Sequence, residues 1–300
     1  MGEARIEVGN LLQDFPRTDD FELVTNMPGV EGGVIAQAGQ AKIFLVKDRM
    51  LGRYMALKAS RTDDKERAQE LAQAIHYQGR IQGLLAEKYP ENFIAVIDLH
   101  CDKETNQAWY IMPYLEEGTA AKIGENSALK TPELRDKEAL KVAIEAAEAL
   151  QKLEELREKD TGETDEEKLK QKYVHGDVKP SNMPSQNGRI KLADMGAIRK
   201  IDPSAEGVSN SLQHSGTGVA SATLKYASPE QRRGEPATYL SDIYSLGLSI
   251  ITAHSGERDL HSMKTLPRRM NEDLKDIIEK CIQDNPDDRH QTVGELLQEL

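Results

Sequence analysis

A chain of 300 residues is long enough for one large two-lobed domain or for two ordinary domains, each with its own core. Its 51 acidic and 39 basic side chains leave a net charge of −12, and aromatics make up 5%, which argues against a nucleic-acid-binding surface and against attraction to anionic membranes. Two cysteines, Cys101 and Cys281, form neither a disulfide framework nor a zinc cluster, so a reducing cytosolic setting is the expectation. No stretch has the pattern of a signal peptide or the length of a membrane span.

In chain order, residues 1–26 read as a polar N-terminal extension leading into the turn-rich Met27-Pro-Gly-Val-Glu-Gly-Gly33. Ala41–Val46 and Tyr54–Lys58 are apolar runs separated by Lys47–Gly52, and they predict two antiparallel strands joined by a turn. Thr62-Asp-Asp predicts a helix N-cap, and Leu71, Ala74, Gln78, Ile81 and Leu85 continue a long helical pattern. Phe93–Leu99 and Ala108–Met112 predict a further hairpin. Residues 27–115 therefore form a small, mostly β lobe with one helix.

From Thr131-Pro-Glu133 the character changes. Thr at the N-cap and Pro in the first turn open a helix whose Ala139, Ala143, Ala146, Leu150 and Leu153 share one face. Glu154–Lys172 is dense in mixed charge and predicts a solvated helix extension or loop. The remainder of residues 116–300 is mainly helical, and the chain stops inside a predicted helix, Thr292–Leu300, which leaves open whether the natural protein continues. The fold class is α+β, with a β-rich N-lobe and a larger helical C-lobe.

The segment His175-Gly-Asp-Val-Lys-Pro-Ser-Asn182, with Asp194-Met-Gly196 downstream, concentrates the chemistry. Phosphoryl transfer requires positioned reactants and neutralised negative charge more than covalent help. Asp177 is placed to accept a hydroxyl proton, Lys179 to hold the transferring phosphate, and Asn182 with Asp194 to give hard oxygen ligands to Mg²⁺, with Mn²⁺ as its substitute.

Read together, these landmarks resemble the eukaryotic-like Ser/Thr protein kinases from about Ile35 to Leu300. Met55-Ala-Leu-Lys58 resembles the strand bearing the ATP-anchoring lysine, and Tyr110-Ile-Met-Pro-Tyr-Leu115 resembles the hinge, with Met112 as gatekeeper and the backbones of Pro113 and Leu115 facing adenine. Ala222–Gln231 resembles the loop that positions a protein substrate, with Thr223 favouring Ser/Thr acceptors, and Ser241–Gly247 resembles the helix after it. Glu230, Asp242 and Arg289 fall at scaffold positions: a glutamate paired with an arginine, and an aspartate bracing the catalytic loop. The resemblance implies ATP and Mg²⁺ as cofactors, a protein substrate and a regulatory partner.

Three departures stand out. Alanine, at Ala36, Ala38 and Ala41, occupies the three positions where the family's phosphate loop has glycine, with Gly39 restoring some freedom. The helix glutamate that would pair with Lys58 is not marked; Gln78 and Arg80 lie near its place, and the apolar neighbours Leu71, Ala74 and Ile75 favour Glu70. Gly176 stands where many kinases carry an arginine that receives an activation-loop phosphate, so control by such phosphorylation, of Ser204–Ser221 for example, is not expected. The style of the Ser-Pro-Glu-Gln segment resembles bacterial members, and the irregular small lobe resembles phage or secreted bacterial effector kinases acting in a host cytosol. Two other functions fit the residues: a small-molecule kinase of the aminoglycoside or choline type, which shares the His-Gly-Asp segment, and a pseudokinase that binds without turnover.

Overall fold

The structure is a computed structural model describing residues 20–27, 30, 32–38, 41–60, 65–102, 104–126, 131–156, 172–201, 225–256 and 264–300. It comprises two compact units, one of residues up to Arg80 with Ala95–Tyr114, the other of Ile81–Ile94 with Leu115–Leu300. The expected N-cap at Thr62, Gly39 of the phosphate loop, Thr223 and Ser204–Ser221 lie outside the described residues.

The first unit is a six-stranded antiparallel sheet. Its strands are β1 (Phe21–Leu23), β2 (Val34–Ala38), β3 (Ala41–Asp48), β4 (Tyr54–Ser60), β5 (Asp98–Asp102) and β6 (Gln107–Pro113). Their order is β1-β3-β4-β6-β5, and β2 pairs with the first half of β3 while β1 pairs with its end. Alternation divides the apolar residues between two faces. Phe44, Val46, Met55, Leu57, Trp109 and Ile111 build the core on one side. On the other, Ala41, Ala108 and Tyr110 receive Ala72 and Ile75 of α1 (Lys65–Lys88). The turns are chemically marked: Asp48 Oδ1 accepts from the Met50 and Leu51 amides at 2.9 and 2.7 Å, and Asp102 Oδ1 accepts from the Glu104 amide at 2.8 Å.

Two expectations are corrected here. Phe21–Leu23 is an edge strand inside the expected polar extension; three residues are too few to display a period, and pairing with Val46–Asp48 defines it. The fifth strand begins at Asp98 rather than Phe93, because Phe93 and Ile94 are buried in the second unit, where Phe93 bridges Leu192 and Gln82 Nε2 donates to the Ile94 carbonyl at 3.1 Å.

The second unit is mainly helical. Thr131 Oγ1 accepts from the Leu134 amide at 3.3 Å and, with Pro132, starts α2 (Pro132–Glu155), whose buried residues include the whole predicted stripe, Ala139, Ala143, Ala146, Leu150 and Leu153. The helix extends through the exposed Glu155, as a solvated helix extension would, while the following Leu156 is fully buried and residues 157–171 of the expected run lie outside the described residues. The stripe simply continues by one turn. Short strands β7 (Lys172–Val174) and β10 (Arg199–Ile201) pair with each other, as do β8 (Ser185–Gln186) and β9 (Arg189–Ile190). Next come α3 (Pro229–Arg232), α4 (Tyr239–Ser255), α5 (Glu272–Cys281) and α6 (Val293–Glu299). Every α4 residue from Ser241 to His254 is buried, as expected of a helix apolar around most of its circumference and packed at the centre of its unit. Among the described residues, no helix is long and apolar enough to cross a membrane.

Candidate active site

In the first unit, register fixes the surroundings of Lys58. It pairs with Ile43 and Tyr110, and alternation puts its side chain on the α1 side of the sheet, the side that also carries Tyr110 and Met112. Lys58 is 3% exposed, with its Nζ 5.8 Å from the centre of the Tyr110 ring. A lysine so buried is unusual unless it has a specific task. Ile75 faces the sheet, and five residues back along a helix of 3.6 residues per turn is close to the opposite side, so Glu70, the residue expected beside Lys58, is exposed. The buried polar residue of this stretch is Gln78, whose Oε1 has no hydrogen-bond partner. Beside it, Gly79 lies so close to Tyr110 that an added Cβ would stand 3.1 Å from the ring. Arg80 is exposed. Ala36 pairs with Ile43 and Ala38 with Ala41, so the expected phosphate-loop alanines sit in the hairpin of β2 and β3.

In the second unit, β7 delivers the chain into the loop His175–Lys179, and a short 3₁₀ turn over Pro180–Asn182 bends it back. The two bends bring the sequence-predicted residues together. Lys179 Nζ donates to Asp177 Oδ2 at 2.7 Å, and Asn182 Nδ2 donates to the same oxygen at 3.2 Å and to the Asp177 carbonyl at 2.9 Å. Asp177 Oδ1 and Asn182 Oδ1 have no protein partner among the described residues. The Ala193 amide donates to the Asn182 carbonyl at 3.0 Å and so brings Asp194 into the neighbourhood. Asp194 itself is left-handed, with φ 64°, and its Oδ1 accepts from the Gly196 amide at 3.1 Å. Met195, flexible and apolar, is fully buried. Leu115 begins this unit; its carbonyl accepts from the Gly118 amide at 3.4 Å, while its own amide has no acceptor among the described residues.

Asp242 braces the loop, accepting from the His175 amide through Oδ2 and the Gly176 amide through Oδ1, both at 2.8 Å. Burial, with help from the carboxylates of Glu154 and Asp177, pushes Asp242 up to about 7 against these two amide bonds. Burial likewise lowers the His175 imidazole, so the ring is neutral. The Asp177 amide donates to its Nδ1 at 3.3 Å, which leaves Nε2 to carry the proton to the Ala193 carbonyl, 3.2 Å away. His175 thus has a packing and hydrogen-bonding place.

Gly176 has a conformational reason to be glycine. Its φ is +75°, and a Cβ there would lie 2.9 Å from the Ala197 carbonyl oxygen. Gly176→Val is therefore expected to destabilise the protein by about 2–3 kcal/mol. Urea unfolding checks this, and a variant as stable as the parent would contradict the strained-turn account.

One contact has no precursor in the sequence reading. Gln231 Nε2 donates to the Gly176 carbonyl at 2.9 Å, across 55 positions of chain. The local signal was present: Ser228 and Gln231 have capping-box spacing, and both reciprocal bonds form.

The family model described as protein kinase domain matches residues 31–299. Similar proteins include the serine/threonine-protein kinase PknB of Mycobacterium tuberculosis, 26% identical over 90% of this chain and 42% of that protein. A probable serine/threonine-protein kinase of Clostridium perfringens is 23% identical over 89% of this chain and 37% of its own length. One named probable serine/threonine-protein kinase PknB, of Corynebacterium glutamicum, is 28% identical over 71% of this chain and 29% of its own. The chain thus spans less than half the length of these relatives. With the family match covering nearly the whole sequence, and a β-sheet unit followed by a helical one, this chain belongs to the protein kinase domain family.

Proposed function

We propose that this chain transfers the γ-phosphoryl group of ATP to serine or threonine hydroxyls of a protein substrate. The observation that carries the reading is the state of Asp177: one carboxylate oxygen is held by Lys179 and Asn182, and the other is left for an incoming hydroxyl. As the hydroxyl oxygen bonds to the γ-phosphorus, the bond from that phosphorus to the β–γ bridging oxygen breaks, and the hydroxyl proton passes to Asp177. Lys179, 2.7 Å from Asp177, fixes that carboxylate and offers positive charge to the transferring group. Asn182 Oδ1 and the Asp194 carboxylate are hard oxygen donors of the kind Mg²⁺ takes, and the ion when bound neutralises phosphate charge. Lys58 serves the α- and β-phosphates, while the Pro113 carbonyl and the Leu115 amide hold adenine beside Met112. With Glu70 turned away, the buried Gln78 is the helix residue assigned to the Lys58 side of the sheet.

The buried pair of Glu230 and Arg289, together with the capped helix α3, supports a protein acceptor over a small molecule, because in the family these groups support the protein-substrate loop. A second reading, ATP binding without turnover, is favoured by alanine rather than glycine at Ala36 and Ala38. One experiment separates the readings. Purified protein with Mg-ATP is expected to label Ser or Thr of itself or of a generic basic protein, and to leave a small-molecule panel untouched. Labelling of the panel alone reverses the assignment; thermal stabilisation by Mg-ATP without any labelling establishes the binding module.

A further inference from the structure

The peptide between Gly176 and Asp177 is held at both of its polar atoms. Its N–H points to His175 Nδ1, and its carbonyl oxygen accepts from Gln231 Nε2 at 2.9 Å. The preceding peptide is held through the Gly176 amide by Asp242. The following peptide is held through the Asp177 carbonyl, which accepts from Asn182 Nδ2 at 2.9 Å, and because peptide units are planar, fixing the planes on both sides of the Asp177 Cα fixes the direction in which its side chain leaves the backbone. Of these anchors, Asp242, His175 and Asn182 are buried neighbours of the loop, whereas Gln231 belongs to α3, the helix that closes residues 225–228.

The orientation of the Gln231 amide is determined by its surroundings. Its Oε1 accepts from the Ser228 amide at 3.0 Å and lies 3.2 Å from the Ser228 hydroxyl, so the other end of the group, the donor, faces Gly176. The segment behind it is equally tied down. Ser245 Oγ donates to the Tyr226 carbonyl at 2.8 Å, the Tyr226 hydroxyl lies 3.2 Å from Thr252 Oγ1, and Arg232 donates to the Lys225 carbonyl at 3.2 Å.

We propose that Gln231 is a positioning residue for Asp177: its side chain transmits the placement of residues 225–232 to the Gly176 carbonyl, and so to the carboxylate that receives the substrate proton. The proposal rests on the phosphoryl-transfer reading above. It gives the chain a direct link between the segment flanking the catalytic loop and the loop itself, at the glycine where phosphorylation-controlled relatives would carry an arginine.

Gln231→Glu isolates the bridging bond. A glutamate keeps the oxygen that caps Ser228 but, when ionised, sets a carboxylate oxygen against the Gly176 carbonyl oxygen. Arg233→Ala is the control, removing an exposed side chain beside α3 that pairs with Glu235 while leaving the Gln231 bond in place. At pH 8, Gln231→Glu is expected to lower kcat roughly 10- to 100-fold, the scale of a small misplacement of a reacting group, with KM for ATP unchanged. The loss persists at pH 6, where a glutamate accepting from the Ser228 amide stays ionised, and Arg233→Ala shows no loss. Amide hydrogen exchange over residues 175–182 gives a reading independent of turnover, and it is expected to be faster in Gln231→Glu than in wild type at pH 8. Unchanged exchange overturns the proposal, as does a kcat equal to that of wild type. If wild type itself transfers no phosphate, the functional reading fails on its own and the exchange comparison still decides whether Gln231 holds the loop.

Discussion

Asp177→Asn is expected to lower kcat by about 10³-fold, within the range supplied by a positioned general base, while leaving the protein folded. The substitution is nearly isosteric, and the local structure tolerates it for a specific reason. The shorter hydrogen bond from Asn182, at 2.9 Å, goes to the main-chain carbonyl of residue 177 and survives, while only the 3.2 Å bond to the side chain is altered. The new amide can still accept from Lys179, so that cation retains a hydrogen-bond partner although it loses the opposite charge. Removing the Asp177 charge also takes away one of the influences that raise Asp242, which favours the ionised brace beneath the loop. Stability is therefore expected to change by less than about 1 kcal/mol. Steady-state kinetics with a generic basic substrate, alongside circular dichroism and urea unfolding, measure the two effects separately. Turnover equal to wild type would remove Asp177 from the chemistry and with it the proposed mechanism.

What the sequence made legible depended on how local the cause was. Thr131 and Pro132 start a helix through interactions within one turn, and the alanine and leucine spacing that follows is visible at a period of 3.6, so α2 and its buried face were readable in advance. The cluster of Asp177, Lys179 and Asn182 was readable for a similar reason: a 3₁₀ turn over Pro180–Asn182 closes it within five residues. Glu70 lies exposed because a helix has a phase as well as a period. Apolar neighbours at Leu71, Ala74 and Ile75 reveal a helix, but only packing of Ala72 and Ile75 on Ala41, Ala108 and Tyr110 shows which side of it meets the sheet. Edge strand β1 escaped because its identity lies in pairing with residues 46–48. The contact of Gln231 with Gly176 spans 55 positions, and no periodic pattern records which carbonyl an amide will find at that separation.

Arg289→Ala is expected to destabilise the second unit by about 3–5 kcal/mol, because it strips a buried carboxylate of its counter-charge. Arg289 is fully buried and uses its guanidinium completely. Nη1 and Nη2 reach the two oxygens of Glu230 at 2.8 and 2.9 Å, and the remaining N–H groups donate to the carbonyls of Leu240, Gln283 and Asp284. Its Cζ also lies 4.9 Å from the centre of the Tyr244 ring. Burial alone would raise Glu230; the hydrogen bonds from Arg289, from its own backbone and from Ser241 and Ser228 overcome burial and hold it at about 2. A carboxylate depressed from 4.5 to about 2 contributes stability that is fully present above pH 4.5 and is lost as the pH falls through 2, of order 3 kcal/mol at about 1.4 per pH unit. Without Arg289, burial regains the upper hand and Glu230 is driven upward, so the acid limb of unfolding moves to higher pH. The two measurements are linked in sign: urea unfolding at pH 7 shows the loss, and acid titration of the variant shows unfolding beginning earlier than in wild type. Replacing both partners by apolar residues, Arg289→Leu with Glu230→Met, is expected to cost less than Arg289→Ala, since no buried charge is then left unpaired. A single variant within 1 kcal/mol of wild type at pH 7, with an unmoved acid limb, would show that the pair is dispensable to the helix carrying Gln231, and α3 would then need another source of its rigidity.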